Sequence, residues 1–162
     1  MLKINLKKIL INCTIVLVIF LVDRLSKIYI LKIAELGNTV DIYVTQYLNF
    51  YLIWNKGIAF GLLSFNESLI YNVITFIIAV ITIIILIIII KDESFKKYYL
   101  LLVFGGSLGN LFDRIYYAAV PDFIDVHIND YHWFIFNAAD IFITIGVICL
   151  IFDEIFIDSK KI

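Results

Sequence analysis

Charge is scarce in this chain. Lys, Arg, Asp and Glu make up 17% of its 162 residues and 63% are hydrophobic, against about a quarter charged and close to half apolar in a soluble domain. That balance excludes an ordinary water-soluble globule and points to a membrane protein, and 162 residues suit a single domain, 1–162. The formal net charge of -1 gives no reason to expect a nucleic-acid partner. Cysteine occurs twice, as Cys13 and Cys149, each within an apolar run that implies no partner. The two histidines, His127 and His132, are not at an established ligand spacing, so no metal is expected. No G-x-S-x-G, H-E-x-x-H or phosphate-cradling glycine loop occurs, nor any internal repeat or low-complexity tract. A cleavable signal peptide is not expected either. Lys3, Lys7 and Lys8 precede an apolar run, but no small-residue cleavage site follows and the run leads into Asp23-Arg24. Lipid modification of Cys13 is not expected, because Asn12 precedes it.

What the chain has is long apolar segments. Residues 69–90 carry no charge, and 9–30 reach the length of about 20 residues that crosses a bilayer core. Two further helices are expected over 97–115 and 136–156, both apolar but carrying polar residues at one end. With four crossings, Lys3, Lys7, Lys8, Lys91, Lys96, Lys97, Lys160 and Lys161 fall on one side, against Lys32 and Lys56 on the other. By the positive-inside rule both termini are then cytoplasmic, and the regions 32–68 and 116–135 are external. Within the first of these, Leu48, Phe50, Leu52 and Trp54 alternate with Tyr47, Asn49, Tyr51 and Ile53, a period-2 pattern that predicts strand. The expected fold is thus a membrane α-helical, four-transmembrane-helix bundle with a small external β-structured cradle.

The costly polar groups converge near the outer end of this bundle. Asp113 closes the third helix, Asp140 opens the fourth and Asp122 lies in the external loop between them. Carboxylates at such a depth cost several kcal/mol unless paired or hydrated, which makes them functional candidates. Brought within about 3 Å, Asp122 and Asp140 would share a proton and act as base and acid on a water, the chemistry of an aspartic peptidase. The structural alternative is that these acids pair with Arg24, Lys27 or Arg114 to steady the bundle. Asn110 and Asp113, like Asn137 and Asp140, are three apart and share a helix face, where the carboxamides can orient the acids or simply join helices. Gly105 and Gly109 form a G-x-x-x-G suited to close helix packing. Asn55 and Gly57 mark a turn, and Phe60 is placed to enter the bilayer edge. A small proton- or ion-coupled transporter also uses intramembrane acids, but it calls for polar groups spread through the membrane, and a noncatalytic scaffold would need them only as ion pairs.

Together these motifs resemble the bacterial lipoprotein signal peptidases, the signal peptidase II family. The resemblance runs through D-x-x-S-K at Asp23 to Lys27, N-x-G-x-A-F at Asn55 to Phe60 and G-G-x-x-G-N-x-x-D-R at Gly105 to Arg114. It continues through D-F at Asp122-Phe123 and F-N-x-A-D at Phe136 to Asp140. It implies an inner-membrane aspartic endopeptidase with a catalytic dyad of Asp122 and Asp140. Asp23, Lys27, Asn55, Gly57, Asn110, Asp113, Arg114 and Asn137 match positions that support the site or bind substrate. The implied substrate is a diacylglyceryl-modified prolipoprotein, cut before its lipidated cysteine; membrane lipids are the other expected partners, the chain is expected to act as a monomer, and no cofactor is expected. Two departures stand out: Phe134 follows Trp133 where the family commonly has Pro, and Gly61-Leu62 follow the asparagine motif where Ser is frequent.

Overall fold

The computed structural model describes residues 6–37, 39–57, 68–129 and 131–156. In chain order these form α1 (Leu6–Gly37), β1 (Asp41–Thr45), β2 (Leu48–Asn55), α2 (Ser68–Lys91), α3 (Lys96–Tyr117), β3 (Val120–Ile128), β4 (Tyr131–Phe136) and α4 (Ala138–Phe156). By length and apolarity, α1 and α2 qualify as membrane-crossing helices. The strand expected from the alternation over Tyr47 to Trp54 is β2, and the turn after Lys91 is closed by Asp92, whose carboxylate accepts from the Ser94 N–H at 2.7 Å. Phe60 and Gly61-Leu62 lie outside the described residues.

Helix α3 is the centre, contacting each of the other three helices. Its small residues make that possible. A Cβ at Gly105 would stand 2.9 Å from the Ile19 side chain and one at Gly109 2.6 Å from Asp23, so the G-x-x-x-G face is laid against α1. A Cβ at Gly106 would stand 2.5 Å from the Ala139 carbonyl oxygen, so the adjoining face is laid against the start of α4. The contacts Ile19 to Gly105, Asp23 to Gly109 and Lys27 to Asp113 advance together, so α1 and α3 run parallel. Helix α4 runs antiparallel to α3: Ala139 meets Gly106 at one end, and Lys96 bridges Glu154 at 2.7 Å at the other. Helix α2 joins α3 near the same upper end, where the Tyr71 hydroxyl donates to the Arg114 carbonyl at 3.1 Å.

The strands form one antiparallel sheet in the order β1-β2-β3-β4. Its core side buries Phe123 with Ile30 and Val40, joined by Ile33, Ala34, Phe50 and Leu52, so the sheet rests on the final turns of α1. This packing is why α1 continues to Gly37, past the 9–30 expected for a span. The second half of the sheet falls in the region 116–135 read from sequence as an external loop near the site. That region is a β-hairpin, turned at Asn129, whose φ of 52° is a left-handed conformation asparagine tolerates. The pairing of β3 with β4 slips between Asp125 and His127, opposite Trp133-Phe134, the position where the family resemblance leads one to expect proline. A residue without an N–H is tolerated at such an irregularity, and Phe134 continues the strand through it.

Candidate active site

The site is built where β4 ends and α4 begins. Ile124 pairs with Phe136, the last residue of β4, so the chain leaves the sheet level with Asp122, and that carboxylate is not hidden behind a neighbouring strand. Asn137 then starts α4 with a reciprocal cap. Its Oδ1 accepts the Asp140 N–H at 3.2 Å, and its own N–H donates to Asp140 Oδ2 at 3.1 Å. The Asn137 side-chain amide reaches Asp122 Oδ1 at 2.6 Å. One fully buried asparagine therefore holds both aspartates that the sequence singles out.

Two further carboxamides complete the arrangement. Asn55, at the end of β2, donates from Nδ2 to Asp122 Oδ2 at 2.9 Å while its Oδ1 accepts the Gly57 N–H at 2.8 Å. Asn110, on α3, donates from Nδ2 to Asp140 Oδ1 at 2.8 Å. Burial, and then the charge of Asp140 beside it, push the Asp122 carboxyl up to about 6, against the amide donors of Asn137 and Asn55 and the more distant Lys27, which favour its ionised form.

Behind Asn110 lies a buried ionic group. Lys27 Nζ contacts Asp23 Oδ1 at 2.7 Å, Asp113 Oδ2 at 2.6 Å and Asn110 Oδ1 at 3.0 Å, and Arg24 bridges Asp113 at 2.5 Å. Asp23, Lys27 and Asp113 are wholly buried. Asp23 also accepts the Ala139 N–H at 3.1 Å, so α1 holds the first turn of α4. Here the structural alternative holds: Asp23 and Asp113 are ion-paired with Lys27 and Arg24, whereas among the described residues Asp122 and Asp140 receive only amide donors.

Arg114 is 5% exposed. It donates from Nη2 to the Gly57 carbonyl and lies over the Tyr71 ring, its carbon 5.6 Å from the ring centroid. Its Nε and Nη1 find no protein partner among the described residues. Tyr71 was not singled out by sequence; beside Asn72 near the start of a largely apolar helix, it gave little local signal. Also unforeseen is the pair of buried Asp125 with His132, 2.8 Å apart on β3 and β4.

Asp122, Asp140, Asn55, Asn110, Arg114 and Asn137 line one end of a cleft of about 410 Å³ between α2 and α4, floored by α3. Away from them the walls turn apolar, through Ile78 and Ile81 on α2 and Ile143, Val147 and Ile148 on α4. Two hydrogen-bonded carboxyls at the polar end of a greasy groove can activate a water against a substrate that itself lies partly in an apolar phase.

Known proteins match the chain over most of its length. The family profile for Signal peptidase (SPase) II matches residues 15–156. A lipoprotein signal peptidase of Pelagibacter ubique (strain HTCC1062) is 55% identical over 159 residues, covering 98% of this chain and 96% of that protein. A lipoprotein signal peptidase of Anaplasma phagocytophilum (strain HZ) is 40% identical, covering 93% and 95% respectively. A bacterial membrane enzyme solved by the in meso method at 2.3 Å superposes with a TM-score of 0.74 at 33% identity, covering 93% of this chain and 90% of that one. The chain belongs to the signal peptidase II family.

Proposed function

We propose that this membrane peptidase removes signal peptides from diacylglyceryl-modified prolipoproteins, with Asp122 and Asp140 as the aspartic dyad that hydrolyses the bond before the lipidated cysteine. The observation that carries this reading is the single asparagine, Asn137, that holds both carboxyls at the polar end of an apolar cleft. One aspartate takes a proton from water as the water attacks the scissile carbonyl, and the dyad returns a proton to the departing amine as the bond breaks. Arg114 lines the same end, and its Nε and Nη1 have no partner among the described residues. The apolar walls suit an acyl chain or the hydrophobic stretch of a signal peptide, neither of which then has to leave the bilayer.

In this reading all four helices cross a bacterial inner membrane. The polarity of α1 and α3 against α4 supports alternate crossings. Lys8, Asp92, Glu93 and Lys97 line a second cavity together, so the charged helix ends gather at the end of the bundle away from the dyad. By the positive-inside rule that end is cytoplasmic, which puts the dyad and the sheet near the external face. The proposal is tested by incubating a purified diacylglyceryl-modified prolipoprotein, in detergent or lipid, with the wild-type chain and with folded Asp122→Asn and Asp140→Asn variants. Cleavage by wild type and by neither variant is expected. Activity surviving in a variant would remove that residue from the dyad, and a folded wild type that cuts nothing would overturn the assignment.

A further inference from the structure

We infer that the one proton of the aspartate dyad rests on Asp122 and that Asp140 is the carboxylate that deprotonates water, an allocation built in by three carboxamides whose orientation is fixed by Lys27 and two main-chain N–H groups. It rests on the peptidase reading of the site.

The orientation of an asparagine amide follows from its surroundings. The Lys27 ammonium only donates, so the group it meets on Asn110 is the oxygen, and the Asn110 NH2 is turned toward Asp140. The Gly57 N–H only donates, so it meets the oxygen of Asn55, whose NH2 is turned toward Asp122. The Asp140 N–H likewise meets the oxygen of Asn137 and turns its NH2 toward Asp122. All four carboxylate oxygens therefore accept one N–H each, and the two aspartates differ only in the kind of donor.

Asp122 has two neutral side-chain amides and sits on a strand, where backbone dipoles nearly cancel. Asp140 accepts a main-chain N–H at the amino end of α4, where the helix dipole favours negative charge. Its second donor, Asn110, is bound at its oxygen by the Lys27 ammonium, which makes its N–H the stronger donor. Other charges do not reverse this. From α1 come Asp23, Arg24 and Lys27 and from α3 Asp113; these two acids and two bases are paired with one another. Arg114 on α3 is turned to the Gly57 carbonyl. From α2 comes the Tyr71 hydroxyl, held by the Arg114 carbonyl, β2 brings only Asn55, and Asp125 on β3 is held by His132 on β4. A raised Asp122 titration with the charge of Asp140 among its causes agrees with the same allocation.

Asp140 then takes a proton from water as the water oxygen bonds to the scissile carbonyl carbon, and Asp122 gives its proton to the carbonyl oxygen, forming a gem-diol. On collapse the carbon–nitrogen bond breaks, Asp140 hands its proton to the departing nitrogen, and a gem-diol hydroxyl returns a proton to Asp122. One water is consumed, a carboxyl and an amine appear, and the dyad is restored. Asn110 and Asn55 act through the aspartates as positioning residues.

The test is the pH profile of kcat/KM for cleavage of a diacylglyceryl-modified prolipoprotein by the full chain and by Asn110→Ala and Asn55→Ala. Removing a donor from a carboxylate raises its titration point, by about one pH unit or more for a hydrogen bond to a charged group. Asn110→Ala is expected to move the acid limb upward and leave the basic limb in place; Asn55→Ala is expected to do the opposite. Limb positions, unlike rates, do not depend on how much enzyme is folded. A crossed pattern, equal movement of both limbs or movement of neither overturns the allocation. A second measurement needs neither variant to be active: in the wild-type protein with labelled aspartate carboxyl carbons, assigned through Asp122→Asn and Asp140→Asn, the Asp140 carbon must take the larger part of the lower titration step. The reverse order overturns the allocation, and because the spectrum is read without substrate it decides the matter even if cleavage fails and the peptidase reading falls.

Discussion

The Asp122 carboxylate is held against its own preference, and replacing it should reveal the cost. It is 2% exposed, and burial together with the charge of Asp140 raises its titration from 3.8 to about 6. A group that binds its proton more tightly in the folded state stabilises that state fully below about pH 4, and the contribution is lost as pH rises through the folded value. A titration point raised by roughly two pH units corresponds to about 3 kcal/mol. Asp122→Asn cannot titrate, so it serves as the reference at every pH. Unfolding free energies of wild type and variant, measured by SDS titration from pH 4 to pH 8, should diverge by about 3 kcal/mol, with wild type losing ground and most of the change falling between pH 4 and 6. Taking the difference cancels the titrating groups that do not feel Asp122, leaving its own titration and its coupling to Asp140, and the fixed cost of an amide that faces two donors shifts the curve without bending it. A flat difference, or one that favours wild type as pH rises, would refute the claim that Asp122 is destabilised in place for the sake of its chemistry.

Three other perturbations follow from the same geometry. Lys27→Met leaves Asp23 and Asp113 buried with only Arg24 between them, a loss of about 3–5 kcal/mol in SDS unfolding; a change under about 1 kcal/mol would contradict the buried ionic group. Gly106→Ala puts a methyl 2.5 Å from the Ala139 carbonyl, main chain that cannot yield without moving α4, so stability should drop by about 1–3 kcal/mol and cleavage with it. Gly37→Ala, with nothing within 4 Å of the new carbon, is the neutral control. Val147→Trp narrows the apolar wall of the cleft and should raise KM far more than it lowers kcat; an unchanged KM would mean the substrate does not lie along that wall.

Much of this was legible in the chain because the signals were local. An uncharged run made α2 plain, alternation made β2 plain, and paired small residues announced the close faces of α3. The β3–β4 hairpin was not legible. Its second strand, Tyr131–Phe136, is almost uniformly aromatic or apolar and so lacks the alternation that marks a half-buried strand. The extension of α1 to Gly37 was missed for a related reason: Ile33 and Ala34 are ordered by a sheet that forms far along the chain, and a span-length rule stops before them. At the site, spacing picked out Asp122, Asp140 and the asparagines near them. Which end of each amide faces which carboxylate depends on Lys27, Gly57 and the Asp140 N–H, partners brought in by tertiary packing.

The proposed dyad draws one member from a strand and the other from a helix end, so its geometry depends on sheet register. Asp122 and Phe123 are neighbours on β3 and point to opposite faces. Phe123 is locked into the core with Ile30 and Val40, and a slip of one residue would exchange it with Asp122 and turn the carboxyl away from Asp140. The same register sets Asp122 opposite Ile53, so that Asn55, two residues farther along β2, lies diagonal to the carboxyl it holds. It also ends β4 opposite Ile124, which releases Asn137 to cap α4 and to reach Asp122 in a single step. The apolar contacts between the sheet and the last turns of α1 therefore bear on the proposed chemistry: they hold the register on which the placing of Asp122 beside Asn137 and Asn55 depends.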